Sequence, residues 1–229
     1  LYSEPKNYRD QSQCKGSIPF AVKINDFTCP EDIDPEPFEK AYTTKFVFPY
    51  VVGMPFSGFD SVEKLNKVLS QKLQNLGITT LLFMKNLELI EYQIRVDENV
   101  IEGQYLLDKK VINDHCLYVS ALGIGTKEEE EEISYLRFTR QIEEGSPRTV
   151  DIAFPVVEKG NGEYECRKAK HPYVSVYFPT ETESKLDFIV QGPYRTTPNR
   201  SSIPADDPDK KALAKQTASL LRDSLIELR

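Results

Sequence analysis

From residue 88 onward, short segments with the character of β-strands follow one another along the chain. They alternate apolar and polar residues or are rich in β-forming residues, and they lie near 88–96, 103–109, 114–121, 133–142, 148–158, 172–178 and 186–193. Turn residues separate several of them, at Glu102-Gly103, Glu144-Gly145 and Gly160-Asn161-Gly162. Consecutive strands joined by short turns pair in antiparallel order. We therefore expect an α+β fold of mixed or antiparallel sheets with packed helices, its main body an antiparallel meander.

A first amphipathic helix is predicted before these strands. Asp60 suits its N-cap, and Glu63 follows three residues later, as in a capping box. At helical spacing, one face collects the apolar residues Leu65, Val68, Leu69, Leu73 and Leu76. Gly77 is expected to end this helix. The apolar segment Ile78–Leu87 then predicts a short buried helix under the sheet.

A second helix is predicted at the end of the chain. Asp206 or Asp207 is expected to cap it, with Pro208 in its first turn. Its apolar stripe consists of Leu213, Leu220, Leu221, Leu225 and Leu228. This helix is expected to close the sheet segment.

The segment before residue 60 has a more mixed pattern. Phe20–Phe27 and Thr43–Val52 each predict a strand, and the acidic, proline-rich stretch Pro30–Pro37 between them predicts a loop. Strands and helices are thus mixed up to about residue 86, whereas the remainder is a sheet with a closing helix. We accordingly predict two domains, at residues 1–86 and 87–229.

Composition argues against several classes of function. The net charge is −7, with five consecutive glutamates at Glu128–Glu132, so a general nucleic-acid binder, which carries a basic face, is not expected. No apolar run approaches the roughly 20 residues of a membrane-spanning helix, and the first residues are too polar for a secretory leader. The chain begins with Leu rather than Met, and we expect it to be a piece of a longer, cytoplasmic product.

The cysteines lie at long, irregular spacings, at Cys14, Cys29, Cys116 and Cys166. No C-x-x-C pair occurs, so the sequence predicts reduced, buried thiols rather than a zinc site. His115 precedes Cys116 in an apolar run, which raises a Cys-His nucleophile as an alternative. Neighbouring residues of a strand point to opposite faces, so these two side chains should not meet. A packed strand residue is the favoured interpretation of Cys116.

The sequence lacks the motifs of stand-alone hydrolases and of phosphate-binding loops. The GIGT stretch at 123–126 has neither the Gly-Lys-Ser/Thr ending nor the following helix of a P-loop. Neither G-x-S-x-G nor H-E-x-x-H occurs. Carboxylates are plentiful, but none is paired in an apolar context that would tune its pKa. An independent enzyme is therefore the last of the functions that we consider.

The stretch from Gln191 to Arg200 is the strongest candidate for handling a charged ligand. It follows the strand-like segment Leu186–Val190 and supplies the polar side chains Gln191, Arg195, Thr196, Thr197, Asn199 and Arg200. Arginine offers a planar fork of donors that stays charged, and hydroxyls and amides add neutral donors, so this set can grip a phosphate. The alternative is a surface loop whose arginines pair with Asp206 and Asp207. Residue chemistry alone leaves both interpretations open.

Several segments resemble, in the same order, the sacsin-type branch of the GHKL ATPases, the group that contains gyrase, heat-shock chaperones, histidine kinases and MutL. One of them is Leu186–Arg200, which follows Phe178-Pro-Thr180 and precedes the leucine-striped helix, and its Gln191–Arg200 part is the most specific. Weaker similarities cover Ser17–Ile24, Thr43–Pro49, Thr80–Leu87 and Arg148–Phe154. Together these segments extend over nearly the whole chain.

This resemblance implies the end of a Bergerat-type ATP-binding domain at residues 1–86, followed by a chaperone-like middle segment at 87–229. In such proteins the middle segment lends an arginine to the terminal phosphate of ATP, and by similarity Arg195 or Arg200 would be that residue. The other nucleotide contacts would be Gln191, Thr196, Thr197 and Asn199. The group also implies ATP and Mg²⁺ as cofactors and homodimers as a common assembly, with protein clients that the sequence does not identify.

The chain departs from the family in its nucleotide motifs. The D-x-G-x-G adenine motif and the Mg-binding asparagine helix belong upstream of Leu1-Tyr-Ser3, which resembles the sequence just after the glycine-rich lid, and neither occurs here. Asn199-Arg-Ser201 is similar to the Asn-x-Ser-Arg element of chaperone middle segments but lacks its last arginine. The resemblance thus implies that the remainder of the same polypeptide supplies most of the ATP pocket. The alternative function is a non-enzymatic interaction or scaffold module that retains the fold.

Overall fold

The structure, a computed structural model, describes residues 21–25, 29–33, 60–96, 98–125, 132–199 and 201–228. The chain divides into two compact units, Leu1–Val51 and Val52–Arg229. In the first unit, strands β1 (Ala21–Asn25) and β2 (Cys29–Ile33) pair in antiparallel register. The predicted division into domains after residue 86 stays a prediction.

The pairing of β1 with β2 confirms one prediction for this unit and corrects another. β1 lies inside the strand predicted at Phe20–Phe27, whereas the loop predicted at Pro30–Pro37 is wrong for its first residues, which belong to β2. Both strands of a two-stranded ribbon are edges, and an edge strand tolerates a proline such as Pro30. The strand predicted at Thr43–Val52 lies outside the described residues.

The described part of the second unit is built on one sheet of nine strands. In chain order they are β3 (Leu89–Val96), β4 (Asn99–Asn113), β5 (Cys116–Ile124), β6 (Glu132–Gln141), β7 (Thr149–Gly160), β8 (Glu163–Cys166), β9 (Tyr173–Val176), β10 (Phe178–Glu183) and β11 (Ile189–Gln191). Their order across the sheet is β10-β9-β11-β7-β6-β5-β4-β3, with β8 paired to β7. Every described pair is antiparallel except β11 with β9. The predicted α+β, mostly antiparallel class is confirmed, and β3 to β7 form the expected meander.

Two of the three predicted turns are confirmed and one is wrong. Glu144-Gly145 lies between β6 and β7, and Gly160-Asn161-Gly162 forms the β7–β8 hairpin with positive φ at all three residues. Glu102-Gly103, in contrast, lies inside β4, with Gly103 opposite Tyr92. A Cβ at position 103 would stand 2.3 Å from the Tyr92 phenol oxygen. Glycine is therefore needed there because an aromatic ring crosses the strand, not because the chain turns.

The first helix, α1 (Val62–Gln74), has Ser61 rather than Asp60 as its N-cap. The Ser61 hydroxyl accepts a hydrogen bond from the Lys64 backbone N–H at 3.2 Å. Asp60 is one residue too early to reach the free N–H groups of the first turn, and it instead forms an exposed ion pair with the Lys64 ammonium at 3.1 Å. The capping box predicted from Asp60 and Glu63 is thus wrong, although a helix begins where it was expected.

A 3₁₀ turn (Ile78–Leu81) follows α1, and the most buried apolar side chains of this region lie at its end and just after it. Leu81, Leu82 and Phe83 are 2% exposed or less. The short buried helix predicted at Ile78–Leu87 is confirmed only as a 3₁₀ turn over its first four residues. On α1 itself Leu65 is buried, but Leu69 is 44% exposed. The buried face of α1 is therefore narrower than its apolar pattern predicted.

The second helix, α2 (Lys210–Glu227), has Asp209 as its N-cap, so the caps predicted at Asp206 or Asp207 are wrong. Its buried side chains follow helical spacing, at Leu213, Thr217, Leu220 and Ser224. Leu225 was predicted in this stripe but is 52% exposed, because it lies one position beyond the stripe. Among the described residues, no helix combines the length and the apolar character that crossing a membrane requires.

The helix α2 and the 3₁₀ turn cover opposite faces of the sheet. Leu136 of β6 and Ile152 of β7 pack in one core with Leu213 of α2. Their strand neighbours Arg137 and Asp151 point to the other face, because successive side chains alternate along a strand. On that face the Arg137 guanidinium reaches the backbone at the end of the 3₁₀ turn.

Candidate functional site

The predicted Gln191–Arg200 stretch leaves the sheet at the end of β11. β11 lies between β7 and β9, so Gln191 stands opposite Asp151 on one side and Ser175 on the other. All three residues of β11 are buried. Gln191 was predicted to contact a nucleotide, but its side chain is buried in the sheet and is only 2% exposed. Gln191, the first residue of the stretch, is therefore held in the sheet, and the loop begins after it.

The residues after Gln191 fold back toward α2. Gly192 donates its N–H to the Ser175 carbonyl at 3.1 Å. The Tyr194 ring lies over Gly192, where a Cβ would come within 2.7 Å of it. Burial raises the pKa of the Tyr194 phenol, a hydrogen bond with Thr217 opposes that shift, and the Asp207 charge adds to it. A glycine at position 192 thus lets Tyr194 anchor the loop in the core under α2.

Arg195 combines a fixed backbone with a side chain that has no ion-pair partner among the described residues. Its backbone N–H donates to Asp207 Oδ2 at 3.2 Å, and the buried Asp207 also accepts from the Asp209 N–H at 3.1 Å. The guanidinium is exposed, and no carboxylate in the described part of the chain pairs with it. Asp207 therefore binds the backbone N–H of Arg195 and does not pair with its guanidinium. Asp206 does not pair with that guanidinium either. Arg200 lies outside the described residues.

Thr197 and Asn199 belong to one hydrogen-bonded turn. The side-chain oxygen Oδ1 of Asn199 accepts from the Thr197 hydroxyl at 2.7 Å and from the Ser201 hydroxyl at 3.0 Å. The Thr197 N–H donates to the Ser202 carbonyl at 2.9 Å and closes the turn. Thr196 is half-buried beside it. The structure thus brings Thr197 and Asn199 together, and the Asn199 amide N–H groups remain as donors without an acceptor among the described residues.

The same turn lies along the outer edge of β10. The Glu181 N–H donates to the Ser201 carbonyl at 2.7 Å, and the Ile203 N–H donates to the Thr182 hydroxyl at 3.3 Å. The loop is therefore restrained in three places: by Asp207, by the core under α2, and by hydrogen bonds to β10. A loop held in this way can present Arg195 without a large ordering cost.

A second polar group, which the sequence analysis missed, lies beneath the 3₁₀ turn. Arg137 Nε and Nη2 donate to Asp151 Oδ1 at 3.0 and 2.7 Å, and Arg137 Nη1 donates to the Leu82 carbonyl at 3.0 Å. Asp151 also accepts from the Thr139 hydroxyl at 2.7 Å and from the Thr149 hydroxyl at 2.9 Å. We refer to Arg137, Asp151, Thr139 and Thr149 as the Arg137–Asp151 cluster.

This cluster joins the segment after α1 to the middle of the sheet. Arg137 is 5% exposed and Asp151 is 1% exposed. The Phe83 ring covers the guanidinium, with 5.4 Å from the Arg137 Cζ to the ring centroid. The sequence signal that could have found the pair is a charge of each sign inside two adjacent predicted strands, in the apolar contexts Tyr-Leu-Arg-Phe and Val-Asp-Ile-Ala.

The Cys-His alternative at His115 and Cys116 is not supported by the structure. Cys116 is 3% exposed and packs in the core under α2, whereas His115 is exposed. The packed interpretation of Cys116 is confirmed. Cys166 is exposed, which corrects the expectation that it is buried. Cys14 and Cys29 have no described side chains.

Cys116 is expected to react much more slowly than Cys166 with iodoacetamide near pH 8. Burial, with the Glu227 charge adding to it, raises the pKa of the Cys116 thiol from 9.0 to about 11. Such a shift lowers the thiolate fraction about 100-fold at a given pH relative to an unshifted thiol. Partial burial also raises the pKa of the Cys166 thiol, but Cys166 is exposed and the reagent can reach it. Mass spectrometry of the labelled native chain measures both rates, and labelling in denaturant is the control in which the two sites should become similar. Equal rates in the native chain would contradict this assignment.

A shallow cavity lies elsewhere on the second unit. It has a volume of about 440 Å³ and is lined by Met84, Lys85, Asn86, Leu87, Tyr177 and Phe178. Tyr177 has a φ of +64°, in the left-handed region that favours glycine. No described residue of the Gln191–Arg200 stretch belongs to this lining. Within the described ranges, no group of His, Cys, Asp and Glu side chains could hold a metal ion.

Comparison of the chain with models of protein families, with curated proteins and with solved structures finds no match. The candidate site is therefore interpreted from its own residues and contacts.

Proposed function

We propose that this chain is part of a sacsin-like ATPase of the GHKL group and that Arg195 contacts the terminal phosphate of ATP. The observation that carries the proposal is the contrast within Arg195 between a backbone fixed by Asp207 and an exposed guanidinium without a carboxylate partner among the described residues. An arginine in this state can bind a phosphate without first breaking an ion pair. Its planar donor fork matches phosphate oxygens and stabilises the charge that develops in phosphoryl transfer.

The neighbouring residues have narrower roles in this proposal. Asn199 can offer its amide N–H groups to a phosphate, because its carbonyl oxygen already accepts from Thr197 and Ser201. Thr197 is a positioning residue, since its hydroxyl is committed to the turn, and half-buried Thr196 is a further candidate contact. Arg200 remains the other candidate for the arginine that contacts the terminal phosphate.

The rest of the nucleotide site belongs, in this proposal, to the remainder of the same polypeptide. That part holds ATP and Mg²⁺, and this chain supplies the phosphate-sensing arm and couples nucleotide state to a conformational change. We further propose a cytoplasmic location and assembly as a homodimer. The direct test is ATP turnover by the protein that carries the whole pocket, with Arg195→Ala compared with Arg148→Ala.

This chain alone is expected to bind ATP weakly or not at all, because the D-x-G-x-G and asparagine-helix motifs are not in its sequence. Isothermal titration calorimetry with Mg-ATP measures this directly. Inorganic phosphate serves as the control for simple anion binding to the loop. Tight, saturable binding of ATP by the isolated chain would contradict the proposal that the pocket lies elsewhere.

A non-enzymatic interaction module is the second candidate, and an exposed apolar area favours it. Val111 and Ile112, near the β4–β5 turn, are 70% and 45% exposed, and Ile226 at the end of α2 is 73% exposed. The two elements meet there, since Asn113 Nδ2 donates to Glu227 Oε2 at 3.0 Å. Exposed apolar clusters often mark interaction surfaces. The absence of ATP turnover by the protein with its upstream sequence would favour this second function.

A further inference from the structure

The buried Gln191 amide and the Arg137 guanidinium both have hydrogen-bonding capacity that the described contacts leave unused. Gln191 is 2% exposed, and its Oε1 accepts from none of the described residues. Arg137 uses three of its five N–H groups, two on Asp151 and one on the Leu82 carbonyl. A buried acceptor without a donor costs free energy, so it requires a physical explanation.

The strand register places these two groups on one face of the sheet with Asp151 between them. Gln191 of β11 pairs with Asp151 of β7, and Asp151 pairs with Thr139 of β6, two residues beyond Arg137. Side chains that face each other on adjacent strands are about 5 Å apart. The amide and the guanidinium therefore flank the same carboxylate. Rotation of the long Arg137 side chain about that carboxylate would direct an N–H group toward Gln191.

We propose that Arg137 is a two-position switch. In the described position, one guanidinium N–H binds the Leu82 carbonyl. In the second position, the guanidinium turns so that one of its N–H groups binds Gln191 Oε1 and none reaches the Leu82 carbonyl, while other N–H groups keep the ion pair with Asp151. The exchange replaces one hydrogen bond with another, so the two positions can lie close in free energy.

The second position of Arg137 would affect both the 3₁₀ turn near Leu82 and the loop that follows Gln191. Leu82 is 0% exposed, so its carbonyl would lose its donor and the 3₁₀ turn would loosen to hydrate it. Gln191 is the last residue of β11 before the loop that carries Arg195. The switch therefore couples the segment Ile78–Met84 to that loop, and this coupling does not depend on the proposed ATPase activity.

Hydrogen exchange in the full chain tests the switch at the Leu82 and Met84 amides, which bond to the Thr79 and Leu81 carbonyls. Gln191→Met removes the acceptor at similar volume and leaves only the described position. Exchange at these two amides should then become slower, because the position that frees the Leu82 carbonyl is lost, and the melting temperature should rise by about 2–4 °C because a buried acceptor without a described donor is gone. Gln191→Glu places a second carboxylate opposite Asp151 that draws the guanidinium away from Leu82, and exchange should become about fivefold faster at these two amides but not at the amides within β5, which would also speed up if the whole sheet were destabilised.

The opposite response of the two variants distinguishes a switch from a packed residue. Gln104→Met, at a half-buried glutamine of β4, is the matched control and should change neither measurement. Changes in the same direction for both Gln191 variants, or unchanged exchange in Gln191→Glu, would overturn the proposal. If Gln191→Glu does not fold, hydrogen exchange in Gln191→Met decides. Slower exchange at the Leu82 and Met84 amides would support the switch, and unchanged or faster exchange would overturn it.

Discussion

Replacing Asp151 with asparagine is expected to lower the free energy of unfolding by about 3–5 kcal/mol, the usual cost of removing one partner of a buried ion pair. Asp151 is 1% exposed, and its carboxylate accepts two hydrogen bonds from Arg137 and one each from Thr139 and Thr149. Asparagine keeps the size of the side chain but removes its charge. It leaves the Arg137 guanidinium buried without the carboxylate that pairs with it. It also replaces one carboxylate oxygen, which accepts hydrogen bonds, with an NH₂ group, which donates them and therefore opposes the donors around it.

Urea unfolding of the chain, followed by circular dichroism, measures this effect against a matched control. Asp60→Asn makes the same chemical change in an exposed pair, in which the Asp60 side chain is 89% exposed and lies 3.1 Å from the Lys64 ammonium. That change is expected to cost less than about 0.5 kcal/mol. Equal losses for Asp151→Asn and Asp60→Asn would show that the buried pair does not hold the sheet to the 3₁₀ turn.

A double substitution separates the cost of an unpaired charge from the worth of the pair. Arg137→Met combined with Asp151→Leu replaces both charges with apolar groups of similar size. Such a replacement is often neutral or stabilising, but here it also removes the partners of the Leu82 carbonyl and of the Thr139 and Thr149 hydroxyls, so only part of the stability lost in Asp151→Asn should return. A double variant as unstable as Asp151→Asn would show that these lost hydrogen bonds, rather than the unpaired charge, account for the cost.

The strands were the most predictable part of the fold, because their side chains alternate between two environments. The segments predicted from 88 to 158 correspond to β3 to β7 with shifted ends. The polar strand β8 (Glu163–Cys166) and most of β10 were missed, since β8 is short and pairs with the end of β7, and β10 pairs with the short strand β9. Gly103 was assigned to a turn because the reason for its glycine, the Tyr92 ring on the neighbouring strand, is a non-local contact.

The candidate site was predicted in outline, but its two buried elements were not. Sequence places Gln191 in the same polar stretch as Arg195, yet the strand ends between them, so one side chain is buried and the other exposed. Arg137 and Asp151 are charged residues in strands that could equally have faced water. Among the described residues, Leu82 and Phe83, which follow the 3₁₀ turn, pack on that face as a further layer and enclose them. A pattern along one strand does not reveal which of its faces another element covers.

In the protein that carries the complete nucleotide pocket, Arg195→Ala is expected to lower kcat for ATP hydrolysis by at least about 100-fold. Its exposed guanidinium sits on a backbone that Asp207 holds through the Arg195 N–H, so the charge can be positioned before the reaction begins. A contact made mainly in the transition state lowers kcat and kcat/KM together, with little change in KM. Steady-state kinetics with Mg-ATP measure both parameters.

Two further variants show what Arg195 contributes. Arg148→Ala removes an exposed arginine just before β7 and should leave turnover unchanged. Arg195→Lys keeps the charge but removes the planar fork, so it should retain part of the activity if charge alone suffices and behave like alanine if two parallel donors are required. Unchanged turnover in Arg195→Ala would remove this residue from the mechanism and leave Arg200 as the arginine to test. Because Arg195 extends from a loop anchored by its own backbone, its substitution should leave stability nearly unchanged, so a loss of turnover would report on chemistry rather than folding.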